Sequence, residues 1–205
     1  MLPKLLLYVV LGASTLALQI GFGRPIAELL FAPQWLGSAV WLDIALGLLM
    51  GFCLVALSRF SASRFSWTKR LDLEFRTVLG PLNGGQIFAL ATLSSVTEEL
   101  FFRGFLQSVI GLEWAALVFG LAHFPYRKFL IPWTITAIAV GWLFGYVFEH
   151  RSCLIAPIVA HFVVNYFNLH FILRPRADAP IYGKKPTRNR NFSSPHGAKW
   201  DDIDH

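Results

Sequence analysis

The stretch Gln86 to Ile110, QIFALATLSSVTEELFFRGFLQSVI, decides the fold. At ~1.5 Å rise per residue it is long enough to cross ~30 Å of hydrocarbon as a tilted helix. Its middle nevertheless holds Glu98, Glu99 and Arg103. Ionisable groups at bilayer depth are costly unless they face a protein interior or a wet cavity. A charged cluster inside an apolar helix therefore predicts a helical bundle closed around a buried polar site.

Working outward, the next apolar run, Leu112 to His123, ends on an imidazole four residues after Phe119, and the last one carries His161 and Asn165 four apart. Three apolar segments thus each contribute polar groups, with Glu99 and Arg103, Phe119 and His123, and His161 and Asn165 each four apart on one helical face. The composition agrees. The chain has 205 residues, 55% hydrophobic and 15% charged, with a mean hydropathy of +0.54, which excludes an ordinary soluble domain. The formal charge of +6 lies between and after the apolar stretches, so it reads as membrane topology rather than as nucleic-acid binding.

The sequence predicts an all-α, polytopic transmembrane bundle of about six spans: Leu5 to Ile20, Ala39 to Leu57, Gln86 to Ile110, Leu112 to His123 (ending by Pro125), Ile131 to Phe148 and Ser152 to Leu169. The first run resembles a signal-peptide core, but the hydrophobicity of the remaining chain favours a retained membrane anchor. Ile26 to Leu36 reads as an interfacial turn or short helix, and Arg59 to Gly80, where bases alternate with aromatics and leucines, as a segment at the headgroup boundary. Gly47 and Gly51 predict a close helix contact. Glu149 to Arg151 reads as a polar turn, and Pro157 as an interruption of the last span. Cys53 and Cys153, each in an apolar segment, read as structural thiols. Residues 1–173 form one transmembrane domain and 174–205 a polar, Pro-rich, flexible cytoplasmic tail. All Lys and Arg except Arg24, Arg103 and Arg151 fall on one side of a six-span arrangement, which places both termini in the cytoplasm.

Glu99 and Arg103 are spaced to pair along one helix face, leaving Glu98 as the less compensated acid and a candidate general base. Two mechanisms fit. In one, Glu98 with His123 activates water while His161 and Asn165 stabilise an oxyanion. In the other, Glu98, His123 and His161 ligate Zn, with Glu99 or Asn165 in support. Neither a His-Glu-x-x-His helix nor a Gly-x-Ser-x-Gly elbow is present. Polar clamps between helices, or the pathway of a small transporter, are the non-catalytic alternatives.

Glu98-Glu99-Leu100-Phe101-Phe102-Arg103, Phe119-Gly120-Leu121-Ala122-His123 and His161-Phe162-Val163-Val164-Asn165, in this order, resemble the three motifs of the CAAX-protease and bacteriocin-processing family of intramembrane proteases, which includes the type II prenyl-protein endopeptidase. The resemblance covers about 84–168. It implies endopeptidase activity on a prenylated or otherwise hydrophobic, membrane-associated peptide, with Glu98, His123, His161 and Asn165 as catalytic core and Glu99, Arg103 and Phe119 in support. The family has been described both as Zn-dependent and as glutamate-dependent without metal, and either cofactor state fits the motifs. The implied partners are membrane lipid and a hydrophobic or lipid-anchored peptide, and the implied location is a bacterial inner (plasma) membrane. The competing reading is a non-catalytic peptide-binding or bacteriocin-immunity protein.

Overall fold

Helix α1 (Leu2–Gly21) is polar on the inside and apolar on the outside. Thr15 and Gln19 are completely buried, whereas Leu6, Val9, Val10 and Ile20 are each more than half exposed. The same inversion recurs at Trp41, Leu49, Phe52 and Ile135. Such a surface suits hydrocarbon rather than water. This is a computed structural model, and it describes residues 2–22, 38–123 and 127–173. The expectations for Ile26 to Leu36, Pro125 and the tail 174–205 lie outside the described residues.

Among the described residues all regular structure is helical: α2 (Ser38–Arg64), α3 (Ser66–Leu79), α4 (Gly84–Glu99), a π-helical turn π1 (Leu100–Leu106), α5 (Gln107–Ile110), α6 (Leu112–Ala122), a 3-10 turn (Lys128–Leu130), α7 (Ile131–Arg151) and α8 (Ile155–Leu173). Three helical stretches, Val40–Arg64, Lys128–Arg151 and Ile155–Leu173, are long and apolar enough to cross a membrane, and they support an integral membrane protein. The run through α4, π1 and α5 has comparable length but carries three charges. With 11 residues, α6 reaches only ~16 Å.

Local signals set most boundaries. Asn83 caps α4, accepting from the Gln86 N–H while the Gln86 side chain accepts from the Asn83 N–H. Gly111, at φ +83°, separates α5 from α6. Three expectations need correcting. Pro157 does not interrupt the last span, because α8 begins at Ile155 and a proline in the first turn forfeits no helical hydrogen bond. Glu149 to Arg151 is not a turn: α7 runs through it to Ser152, which ends the helix in a left-handed conformation. Finally, Cys153 is buried but Cys53 is exposed on the apolar surface.

The Gly47 and Gly51 contact is present. A Cβ on Gly47 would stand 2.6 Å from the Ala156 carbonyl oxygen, and one on Gly51 2.7 Å from Val163 Cβ, so α2 and α8 run parallel in backbone contact. The Asp43 carboxylate, near the start of α2, accepts from Arg151 Nε at 2.6 Å, tying α2 to α7.

Candidate active site

The continuous run from Gly84 to Ile110 is the spine of the site. It packs antiparallel to α8, with Asn165 Nδ2 donating to Ser94 Oγ at 2.9 Å and His161 Nδ1 lying 2.7 Å from Glu99 Oε1. It packs parallel to α7, with Arg103 donating to the Gly141 carbonyl at 3.0 Å and Gln107 Nε2 to the Gly145 carbonyl at 3.0 Å and Glu149 Oε1 at 3.1 Å. Gly141 permits this approach, since a Cβ there would meet the Phe119 ring at 2.9 Å.

Glu99 is fully buried and its Oε1 is shared by Arg103, at 2.8 Å, and His161. The guanidinium also lies over the rings of Phe119 and Phe144, at 4.5 and 5.5 Å from their centroids. A buried guanidinium is tolerable when carboxylate, carbonyl and π-faces together replace its water. Sequence spacing identifies the Glu99–Arg103 pair. It does not identify His161 as the second partner of Glu99.

Glu98 faces the other way. Its Oε2 is buried without a hydrogen-bond partner among the described residues. It stands 3.6 Å from His123 Nε2 and 3.8 Å from His161 Nε2. Each imidazole is tethered through its other nitrogen. His123 Nδ1 lies 2.7 Å from the Phe119 carbonyl, which can only accept, so in a neutral ring the proton is on Nδ1 and Nε2 offers a lone pair. Glu99 imposes the same tautomer on a neutral His161. Phe119 also packs on the His123 ring, with centroids 4.4 Å apart. His123 is the most open member, its side chain 26% exposed against 10% for Glu98 and 7% for His161.

Glu98, His123 and His161, the three candidate Zn ligands, therefore do converge. Among the described residues, however, no group of three His, Cys, Asp or Glu side chains is gathered closely enough to hold a metal ion. The donor set as placed does not fit the ion, and no step is routed through one.

The arrangement defines a class: a membrane-embedded helical protein with a buried carboxylate between two oriented imidazoles. Residues 81–167 match the family described as type II CAAX prenyl endopeptidase Rce1-like. The chain is also 40% identical over 80 residues to the uncharacterized protein YpbD of Bacillus subtilis (strain 168). That similarity covers 38% of this chain and 41% of the relative, so the chain spans well under two thirds of that protein's length. No solved structure matches.

Some residues at the site carry no sequence signal. Ser94, Gln107 and Phe144 look like ordinary members of apolar helices. Gly141 is noticeable only as a small residue in a span. Tyr8 also belongs here, because it comes close enough to interact with the Glu98 carboxylate from a helix outside the matched segment.

Proposed function

We propose that the protein is an intramembrane endopeptidase that hydrolyses a peptide bond in a prenylated or otherwise hydrophobic, membrane-associated peptide. The observation that carries this reading is the position of Glu98 Oε2, unpartnered and facing two imidazole Nε2 atoms, within the family segment. A separation of 3.6 Å between Glu98 and His123 is too long for a direct hydrogen bond and short enough for one water to touch both groups.

In this mechanism Glu98 and His123 orient the water and Glu98 accepts its proton as the oxygen attacks the scissile carbonyl carbon. The carbonyl oxygen becomes an oxyanion, stabilised by His161 and Asn165. Asn165 gives one amide proton to Ser94 and keeps the other for this purpose. His161 can donate from Nε2 only as an imidazolium, for which the Glu99 carboxylate at 2.7 Å is the counter-charge. Collapse of the intermediate breaks the C–N bond, and the proton held by Glu98 passes to the leaving amine. Glu99 and Arg103 hold His161, while Phe119 holds His123.

Both termini belong in the cytoplasm of a bacterial plasma membrane in this reading. The asymmetry of Lys and Arg and the Bacillus relative support it.

The test is cleavage of an internally quenched farnesylated peptide, with an unprenylated control, by purified protein in lipid nanodiscs. Glu98→Gln should lower kcat/KM by about 10²–10⁴-fold, the range for loss of a general base. Equal cleavage by both proteins would refute the role of Glu98. Binding without cleavage would favour the peptide-binding or immunity reading. Elemental analysis with chelation settles the cofactor: stoichiometric Zn lost together with activity would overturn the metal-free mechanism.

A further inference from the structure

We propose that Trp133 is a positioning residue for His123, held in place by α3. The proposal rests on the reading of His123 as the partner of Glu98 in activating water. His123 lies one residue beyond the end of α6, at φ −93° and ψ 9°, and its side chain is more open than those of Glu98 and His161. A single hydrogen bond, from Nδ1 to the Phe119 carbonyl, tethers the ring at one atom. One such bond leaves an imidazole free to swing or break away, which would carry Nε2 from its place 3.6 Å from Glu98 Oε2. Ring contacts supply the remaining restraint. Phe119 packs on the imidazole with centroids 4.4 Å apart, and Trp133 meets it from α7 in an edge-to-face contact, with centroids 6.2 Å apart and planes at 69°.

Trp133 is itself fixed from two directions. Along the chain it stands between the buried Leu130 and Thr134, just after Pro132 in the first turn of α7. One turn beyond Thr134, Ile138 lies so close to Gly120 of α6 that a Cβ on the glycine would overlap it. These contacts set where the start of α7 lies relative to His123. From outside, Phe75 of α3 packs edge-on against the indole, with centroids 6.1 Å apart and planes at 89°. Two further contacts bind α3 to the segment that leads into α7. The Arg70 guanidinium lies 5.1 Å from the Phe129 ring centroid, and Glu74 Oε1 lies 3.8 Å from Arg127 Nε. Helix α3 is thus a strap over the start of α7, and Trp133 acts through His123 rather than on the peptide.

NMR of the full chain in nanodiscs, with ¹⁵N-labelled histidine, reads the His123 tautomer without relying on catalysis. His123→Gln identifies the His123 signals by their loss. At a pH where the ring is neutral, the wild-type signals should be those of one tautomer, protonated at Nδ1. In Trp133→Leu they should move toward the average of the two tautomers. Trp133→Phe, which keeps a ring, should restore most of the wild-type pattern. Phe75→Leu alters neither ring of the pair and should give a smaller shift in the same direction, so the strap is tested even if Trp133→Leu does not fold. With the quenched farnesylated peptide, Trp133→Leu should lower kcat about 10-fold with KM unchanged. Wild-type His123 signals in Trp133→Leu would overturn the proposal even if the enzyme cleaves, and wild-type signals in Phe75→Leu would overturn the part given to α3. Cleavage undiminished in His123→Gln would instead overturn the catalytic reading of His123, while the spectra still judge the Trp133–His123 contact.

Discussion

Helix α8 presents two sides of opposite chemistry. Toward α2 it packs Ala156, Val159, Ala160 and Val163 against Gly47 and Gly51. The α2 sequence between Asp43 and Arg59 contains no Asp, Glu, Lys, Arg or His. Polar links gather at the two ends: Asp43 with Arg151, and Arg59 and Ser58 donating to the Asn168 side-chain Oδ1 at 2.8 and 3.2 Å. Toward α4 the same helix offers His161 to Glu99 and Asn165 to Ser94, with Phe162 and Tyr166 stacked beside them against Phe88. One side fixes where the backbone lies by shape. The other orients a few polar atoms, which shape alone cannot do, because packing is indifferent to which nitrogen of a ring carries a proton.

That contrast can be broken from either side. The largest stability effect is expected from Arg103→Ala, which strands the buried Glu99 and removes the contacts to the Gly141 carbonyl and the rings of Phe119 and Phe144. A loss of about 3–5 kcal/mol is expected in reversible unfolding in detergent, the range for breaking one partner of a buried ion pair. A wild-type unfolding midpoint would mean that the network does not hold the bundle.

Gly51→Val attacks the dry side. Its Cβ would overlap Val163 Cβ and the Ala160 carbonyl, so about 1–3 kcal/mol should be lost to overpacking. Cleavage per folded molecule should stay near wild type. A selective fall in kcat would show that the two sides are coupled rather than separate. The smallest effect belongs to Asp43→Asn: Asp43 is buried, but its partner Arg151 is 24% exposed, and the asparagine oxygen can still accept from Arg151 Nε. A change of about 0.2–1 kcal/mol, weakening further in salt, is expected in the same unfolding measurement.

The sequence reveals the site to the extent that burial is costly. Glu98, Glu99, Arg103 and His161 stand out because each violates the apolar rule of its helix, and the fold brings them together. Residues that obey the rule stay hidden. Tyr8 in an apolar run looks like an interfacial anchor, and only its spacing with Gly12, Thr15 and Gln19 marks an inward face. The end of α7 misleads for the converse reason. Glu149 and Arg151 look like turn residues until their partners, Gln107 and Asp43, are seen to come from distant parts of the chain. Local pattern cannot report a partner supplied by tertiary structure.

The widened turn Leu100–Leu106 closes with the Gln107 N–H on the Phe102 carbonyl, five residues back. It amounts to one residue of slack in an otherwise regular rod. A chain one residue shorter there would wind as plain α-helix and turn everything after it by about 100°. Glu98 and Glu99, upstream, would keep their places, whereas Gln107 would swing away from Gly145 and Glu149. The slack lets a single rod satisfy two neighbours whose spacings do not match its own pitch.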